Sequence, residues 1–178
     1  MQLCNENIES VYVMPGLLKF EHDCLTILRR SLIAVAPQEG CALLLGDEKQ
    51  SLFGEHEPML HVHLIWPCCN AWRPESKDFS NGLENISSTT ITNLSRDNRF
   101  ALDPREQLAA QHWAREKNCK VLGVAHSHPS SEAIPSEIDI HGCSSVNLIV
   151  IVSKSEEVKA WFKKPGQRNS FYEMPLSS

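Results

Sequence analysis

The sequence predicts a single α/β domain in which a mixed β-sheet is flanked by helices. Its 178 residues correspond to about one domain. Apolar residues make up 42% of the chain, which is ordinary for a globular protein and too high for a disordered one. Helix-like and strand-like apolar spacings alternate, and the longest apolar runs fall far short of the ~20 residues that a membrane-spanning helix needs. Fibrous, disordered and membrane-spanning classes are therefore excluded.

The first half of the chain predicts one helix followed by two strands. Residues 21–36 carry an apolar residue every three or four positions, the stripe of an amphipathic helix, and Pro37 ends it. Residues 41–45 are continuously apolar and precede Gly46, which is typical of a buried strand. Apolar and polar residues alternate over residues 59–66, which predicts a second strand. We expect these two strands to pair.

The second half opens with a strong helix signal. Asp103 is a favourable N-cap residue, Pro104 suits the first helical position, and Glu106 stands at the third. The predicted helix runs to about Lys117. Three strands and a short helix complete the pattern: strands at 121–126, 148–152 and 158–162, and a helix from Ser136.

The domain organisation follows from where this pattern begins and fails. We expect residues 1–16 to be an N-terminal segment, residues 17–164 to form the domain, and residues 165–178 to hold a C-terminal strand and a tail. Residues 67–99 are rich in Asn, Ser, Thr and charge and show no periodicity. A connection of that length inside a compact domain is usually functional or mobile, so we interpret it as a loop insertion.

The net charge and the cysteine content limit which partners the protein can bind and in which cellular compartment it is expected. The chain carries 17 Lys and Arg against 22 Asp and Glu, a net charge of −5, which gives no field to attract nucleic acid or an anionic membrane. Its seven cysteines contain no Cys-x-x-Cys, so neither a disulfide framework nor a four-cysteine zinc module is expected. The first ten residues are acidic and polar rather than basic and apolar, and we expect a cytoplasmic protein.

Residues 126–139 contain a set of potential metal ligands. His126 and His128 are two residues apart on a predicted strand, so their side chains point to the same side and both imidazoles can reach one ion. Asp139 lies one turn into the helix that Ser136 opens, and the proline-containing loop between can fold its carboxylate back to the same point. Two His and one Asp form a three-ligand set for zinc that leaves the fourth position to water. The pattern predicts one catalytic zinc ion per chain, held by His126, His128 and Asp139.

The spacing His-x-His, seven residues, Ser, two residues, Asp resembles the signature of the JAMM (MPN+) metalloproteases residue for residue. That family also has an upstream glutamate in a Glu-x-x-Gly-x-x-x-Gly context, which here begins at Glu39 and ends at Gly46. The departure is Ala42, where the family usually has glycine. The resemblance covers roughly residues 17–162 and is similar to the short prokaryotic members.

The resemblance implies an MPN fold, JAB-like and cytidine-deaminase-like, and a zinc peptidase or isopeptidase. It implies cleavage of an amide after the C-terminal diglycine of a ubiquitin-like or sulfur-carrier protein, which is then the partner, and it allows a homodimer. Glu39 would be general base and then general acid to the zinc-activated water. Ser136 would donate a hydrogen bond to the oxygen that becomes negative, and Ser127 should point away from the metal.

Several alternatives stay open from the residues alone. Ser136 and Asp139 also form a helix capping box, and Glu39 is also explained as a solvated glutamate. At the level of function, the alternatives are a non-catalytic MPN scaffold that mediates protein assembly and a nucleic-acid-associated protein like the bacterial RadC group. His61 and His63 repeat the His-x-His spacing without the downstream residues, and we interpret them as half-exposed strand residues.

Overall fold

The computed structural model describes residues 14–49, 57–74, 94–142, 146–163, 167 and 170–178. These residues form three helices and eight strands. In chain order they are β1 (Leu17–Phe20), α1 (Cys24–Ile33), β2 (Cys41–Lys49), β3 (Met59–Cys68), α2 (Pro104–Glu116), β4 (Lys120–His128), α3 (Glu137–Gly142), β5 (Leu148–Ser153), β6 (Val158–Lys163), β7 (Phe171–Met174) and β8 (Leu176–Ser177).

All eight strands belong to one mixed sheet with the order β7-β6-β5-β4-β2-β3-β1-β8. The predicted pairing of the first two apolar strands is confirmed, since β2 and β3 are antiparallel neighbours. Strands β4 and β5 are parallel, and α3 lies in the connection between them. The predicted mixed sheet with flanking helices is therefore confirmed.

Apolar layers cover both faces of the sheet, which explains the continuous apolar runs at residues 41–45 of β2 and 148–152 of β5. On one face, Leu28 and Leu32 of α1 pack with Leu44 and other sheet residues. On the opposite face, Ala110 and Ala114 of α2 pack with residues of β2, β4 and β5. The α1 stripe that the sequence displays is thus the side of the helix that meets the sheet.

Two elements differ from the sequence-based expectation. Strand β1 was not predicted, because four residues are too few to show a period. The expected tail after β7 instead forms β8, which pairs with β1, and Leu18 N donates to the Pro175 carbonyl at 3.0 Å. Both strands are stabilised by pairing with neighbouring strands, because neither has an apolar pattern of its own that would predict a strand.

Other expectations are tested only where the structure describes the chain. The centre of the predicted 67–99 insertion, residues 75–93, lies outside the described residues, as do Cys4 and Cys143. The five described cysteines are all free thiols. Among the described residues, none of the helices has the length and apolar character that crossing a membrane requires.

Candidate metal centre

The end of β4 and the start of α3 bring three ligating side chains together. His126 Nε2 lies 3.0 Å from His128 Nε2. Each imidazole meets one oxygen of Asp139 at 3.3 Å, His126 at Oδ1 and His128 at Oδ2. The exposed fractions are 0% for His126 and 6% for both His128 and Asp139. Three predicted ligands therefore converge in a buried cluster.

The dimensions of this cluster fit a metal ion. Ligand atoms at about 2.0–2.2 Å from a tetrahedral ion are separated by about 3.3–3.6 Å, close to the spacings of 3.0 and 3.3 Å seen here. Two imidazole nitrogens and one carboxylate oxygen form a donor set that suits zinc. The three side chains can hold a metal ion, and three ligands leave one position of a tetrahedron open.

Asp139 is positioned by the N-terminus of α3. Ser136 donates to Asp139 Oδ2 from its backbone N at 2.8 Å and from its hydroxyl at 2.7 Å, while Asp139 N donates to Ser136 Oγ at 3.2 Å. This is the capping box that the sequence also predicts, and the same carboxylate faces the histidines. Burial raises the pKa of Asp139, but the charge of His126 and hydrogen bonds from both histidines and Ser136 outweigh it and hold the pKa well below its usual range.

The histidine rings are held by contacts that the sequence does not reveal. His128 Nδ1 donates to the Glu132 carbonyl at 2.8 Å, so its Nε2 is left to act as the ligand. Such a fixed tautomer is typical of metal-binding histidines. The His126 ring stacks on Phe100 with centroids 4.6 Å apart, and its Nδ1 has no hydrogen-bond partner among the described residues. Phe100 is a site residue that sequence reasoning missed.

Glu39 lies immediately before β2, and this segment runs antiparallel to the strand that carries the histidines. Gly40 N donates to Ser127 Oγ at 2.8 Å, and Ser127 N donates to the Gly40 carbonyl at 3.0 Å. The Ser127 hydroxyl also donates to the Leu32 carbonyl of α1 at 3.3 Å. Ser127 therefore points away from the cluster, as predicted, and ties the Glu39 segment to the strand between the two histidines.

The Glu39 carboxyl is buried, with 5% of the residue exposed. The alternative of a solvated glutamate is therefore wrong. Burial raises the pKa of Glu39 to about 7, and the charge of Asp139 adds to this while His126 opposes it. A carboxyl with that pKa is suited to both accept and return a proton at neutral pH.

The backbone of Glu39 is held by residues distant in sequence. Glu39 N donates to the Arg96 carbonyl at 2.7 Å. Asn70 Nδ2 donates to the carbonyls of Glu39 and Arg99, at 3.0 and 2.7 Å. Asn70, Arg96 and Arg99 all come from the described ends of the predicted insertion, and no local pattern marks them. These two described segments therefore help to position Glu39.

Comparison with known proteins identifies a matching family and a similar individual protein. Residues 21–164 match the family described as prokaryotic homologs of the JAB domain. A desampylase from Pyrococcus furiosus is 40% identical over 63 residues, which are 35% of this chain. The matched stretch spans 45% of that relative's length, so the likeness concerns less than half of the desampylase.

Solved structures show the same fold. A protein from Desulfitobacterium hafniense is similar with a TM-score of 0.64 at 21% identity, over 90% of this chain and 92% of that one. A protein from Salinibacter ruber is similar with a TM-score of 0.54 at 25% identity, over 89% and 90% of the two chains. Because the family match over residues 21–164 spans most of the chain, the predicted family resemblance is confirmed: this chain belongs to the prokaryotic homologs of the JAB domain.

Proposed function

We propose that this protein is a zinc-dependent peptidase or isopeptidase. The reaction is hydrolysis of an amide bond after the C-terminal diglycine of a ubiquitin-like or sulfur-carrier protein. The observation that carries the proposal is the buried cluster of His126, His128 and Asp139 with Glu39 on the adjoining segment. The stretch shared with the Pyrococcus furiosus desampylase supports a hydrolase that acts on conjugates of a ubiquitin-like protein.

His126, His128 and Asp139 would hold the zinc ion. When bound, zinc polarises a carbonyl and lowers the pKa of water towards ~7. The ionised Asp139 carboxylate offsets one positive charge of such an ion, and the Ser136 hydrogen bonds keep that carboxylate facing the histidines. Glu132 keeps His128 in the tautomer that presents Nε2.

Glu39 is the general base and then the general acid. Its pKa of about 7 lets it take a proton from water and pass that proton to the leaving amine. The hydrogen bonds from Asn70 to the Glu39 carbonyl and from Glu39 N to Arg96 fix the backbone on both sides. The backbone that carries the carboxyl is therefore fixed before substrate arrives, which lowers the cost of ordering this segment during the reaction.

Ser136 has a second use in this scheme. Its backbone N and its hydroxyl both donate to Asp139 Oδ2, so the hydroxyl can rotate towards a substrate oxygen while the backbone donor keeps the carboxylate in place. A donor aimed at an oxygen that becomes negative typically contributes ~10²–10³ in rate. We therefore assign Ser136 as the oxyanion stabiliser.

The burial of the site supports a diglycine tail as substrate. Because the three ligands are at most 6% exposed, residues that flank the reacting carbonyl must reach a nearly closed cluster. Glycine has no side chain and its backbone can approach other atoms closely. A terminal Gly-Gly is thus the peptide ending that fits such a site with the least displacement of the surrounding residues.

Cleavage of a defined fusion tests the proposal. The substrate is a ubiquitin-like carrier that ends in Gly-Gly and is joined by an amide to a cysteine or lysine residue. We expect the zinc-loaded protein to release the carrier and His128→Ala to be inactive, whereas the exposed control His112→Ala should match wild type. Full activity in His128→Ala, or no cleavage of any diglycine-tailed adduct by zinc-loaded wild type, would overturn the proposal and favour the scaffold alternative.

A further inference from the structure

A second group of metal-type ligands lies outside the site described above. Glu21 follows β1, and His61 and His63 are on β3. One ligand atom from each of the three lies within 4.8 Å of the others. The proposed reaction does not use these residues. The sequence suggested two half-exposed strand histidines, but His61 is only 6% exposed.

His63 is held between two carboxylates. When His63 is protonated, its Nδ1 donates to Glu21 Oε2 at 2.5 Å and its Nε2 donates to Asp47 Oδ2 at 2.9 Å. The His61 ring lies beside it, with centroids 4.4 Å apart. Both histidines therefore stand next to a region that carries two negative charges, which is favourable for a divalent cation.

A β-bulge creates this arrangement. Leu45 of β2 is opposite Leu64, but the next residue, Gly46, is opposite Val62, so His63 is the extra residue of β3. Such a bulge turns the side chain away from the regular alternation. Asp47 is directly opposite His61 in the same ladder.

Glu21 is fixed to the same strand from the other side. Its backbone N donates to the Val62 carbonyl at 2.9 Å, directly between the two histidines. The ligands thus come from the end of β1 and from β3, while Asp47 comes from β2. Three neighbouring strands hold the cluster, which makes it rigid in the sense that a metal site requires.

The His61 ring is buried without hydrogen bonds to the described residues. Neither ring nitrogen has a hydrogen-bond partner among the described residues, although the ring is buried. Buried polar atoms in folded proteins are nearly always paired, because an unpaired one loses its hydration without compensation. A metal ion beside Glu21 and His63 would give one of these nitrogens a partner.

We propose that Glu21, His61 and His63 bind a second divalent ion of the zinc class. The ion takes the place of the His63 Nδ1 proton, which is released to solvent. Asp47 then accepts from the other ring nitrogen of His63, the carboxylate–histidine–metal arrangement that orients many metal ligands. This site links β1 to β3 and stands apart from the proposed hydrolysis, so it can exist whether or not the chain is a peptidase.

The proposal is tested by the number of zinc ions bound per chain. This number is measured after the protein is equilibrated with buffered zinc and free metal is removed. We expect two zinc ions in wild type and one in His61→Leu, since leucine keeps the buried volume and removes both nitrogens. Glu21→Gln should also fall towards one, and the exposed control His112→Ala should keep two. His128→Ala should keep one zinc ion. Cobalt bound to that variant should show the absorption of a tetrahedral site with nitrogen and oxygen ligands, and this absorption should be lost when His61→Leu is added.

The outcomes separate the two sites. Wild type that saturates at one zinc ion and keeps that ion in His61→Leu, or His61→Leu and Glu21→Gln proteins that both bind as much zinc as wild type, would overturn the second site. His61→Leu should keep its hydrolytic rate and His128→Ala should lose it. Failure of the second site therefore shows in the zinc counts of the His61→Leu and Glu21→Gln proteins, whereas failure of the proposed reaction shows in the rate and in a zinc count that His128→Ala leaves unchanged.

Discussion

Ser127 offers a quantitative test of how Glu39 is held beside the histidines. Its hydroxyl accepts from Gly40 N at 2.8 Å and donates to the Leu32 carbonyl at 3.3 Å, and all three residues are buried. Ser127→Ala removes the partner of a buried backbone N–H without adding bulk. An orphaned buried donor costs about 1–3 kcal/mol, so we expect the free energy of unfolding to fall by that amount.

Chemical denaturation at constant pH measures this change, and a thermal scan should show Tm lower by about 2–12 °C for a domain of this size. The matched control is Ser31→Ala in α1, whose hydroxyl donates only to helix carbonyls that already have other partners, Ile27 at 2.8 Å and Leu28 at 3.1 Å. We expect that variant to change by less than about 0.5 kcal/mol. Equal stabilities of the two variants would refute the reasoning.

The remaining predictions concern the site and its packing. Glu39→Gln should abolish turnover yet keep zinc, because it removes the proton acceptor and no ligand; comparable hydrolysis would contradict the role of Glu39. Ser136→Ala should lower kcat by ~10²–10³ and the free energy of unfolding by about 1 kcal/mol through loss of the helix cap; unchanged kinetics would count against the oxyanion role. Gly40→Ala should destabilise by about 1–3 kcal/mol, because its Cβ would lie 2.5 Å from the Leu32 carbonyl oxygen. Gly142→Ala, where a Cβ meets nothing within 4 Å, is the control, and equal denaturation midpoints for the two alanine variants would contradict the packing.

The parts of the fold that the sequence predicts are those whose signal is local. Strands β2 and β5 contain apolar runs at residues 41–45 and 148–152 because both faces of the sheet are covered there, and α2 begins at the capping signal of Asp103. The same holds for the proposed metal ligands. His126 and His128 share a side of β4 by strand alternation, and Asp139 is placed by its hydrogen bonds with Ser136, the capping residue three positions earlier.

What the sequence could not show depends on contacts between distant residues. Asn70 bonds the carbonyls of Glu39 and Arg99, which are 31 and 29 residues away, and nothing near Asn70 in the chain indicates this. Phe100 reaches His126 only because the sheet and the end of the insertion meet in space.

Contacts between distant residues also explain why the cluster around His61 and His63 could not be predicted from the sequence. His61 and His63 look like alternating surface residues until the register shift between β2 and β3 is known. A bulge depends on the partner strand rather than on the residues that form it. The approach of Glu21 is likewise a product of the pairing of β1 with β3.

The central claim is that His126, His128 and Asp139 form a zinc site. The most direct test is the zinc content of the His61→Leu protein with and without His128→Ala, because this background removes the second cluster. We expect close to one zinc ion per chain in His61→Leu and none when His128→Ala is added. A folded His61→Leu protein that binds no zinc at saturating metal, or one that keeps its zinc without His128, would contradict it.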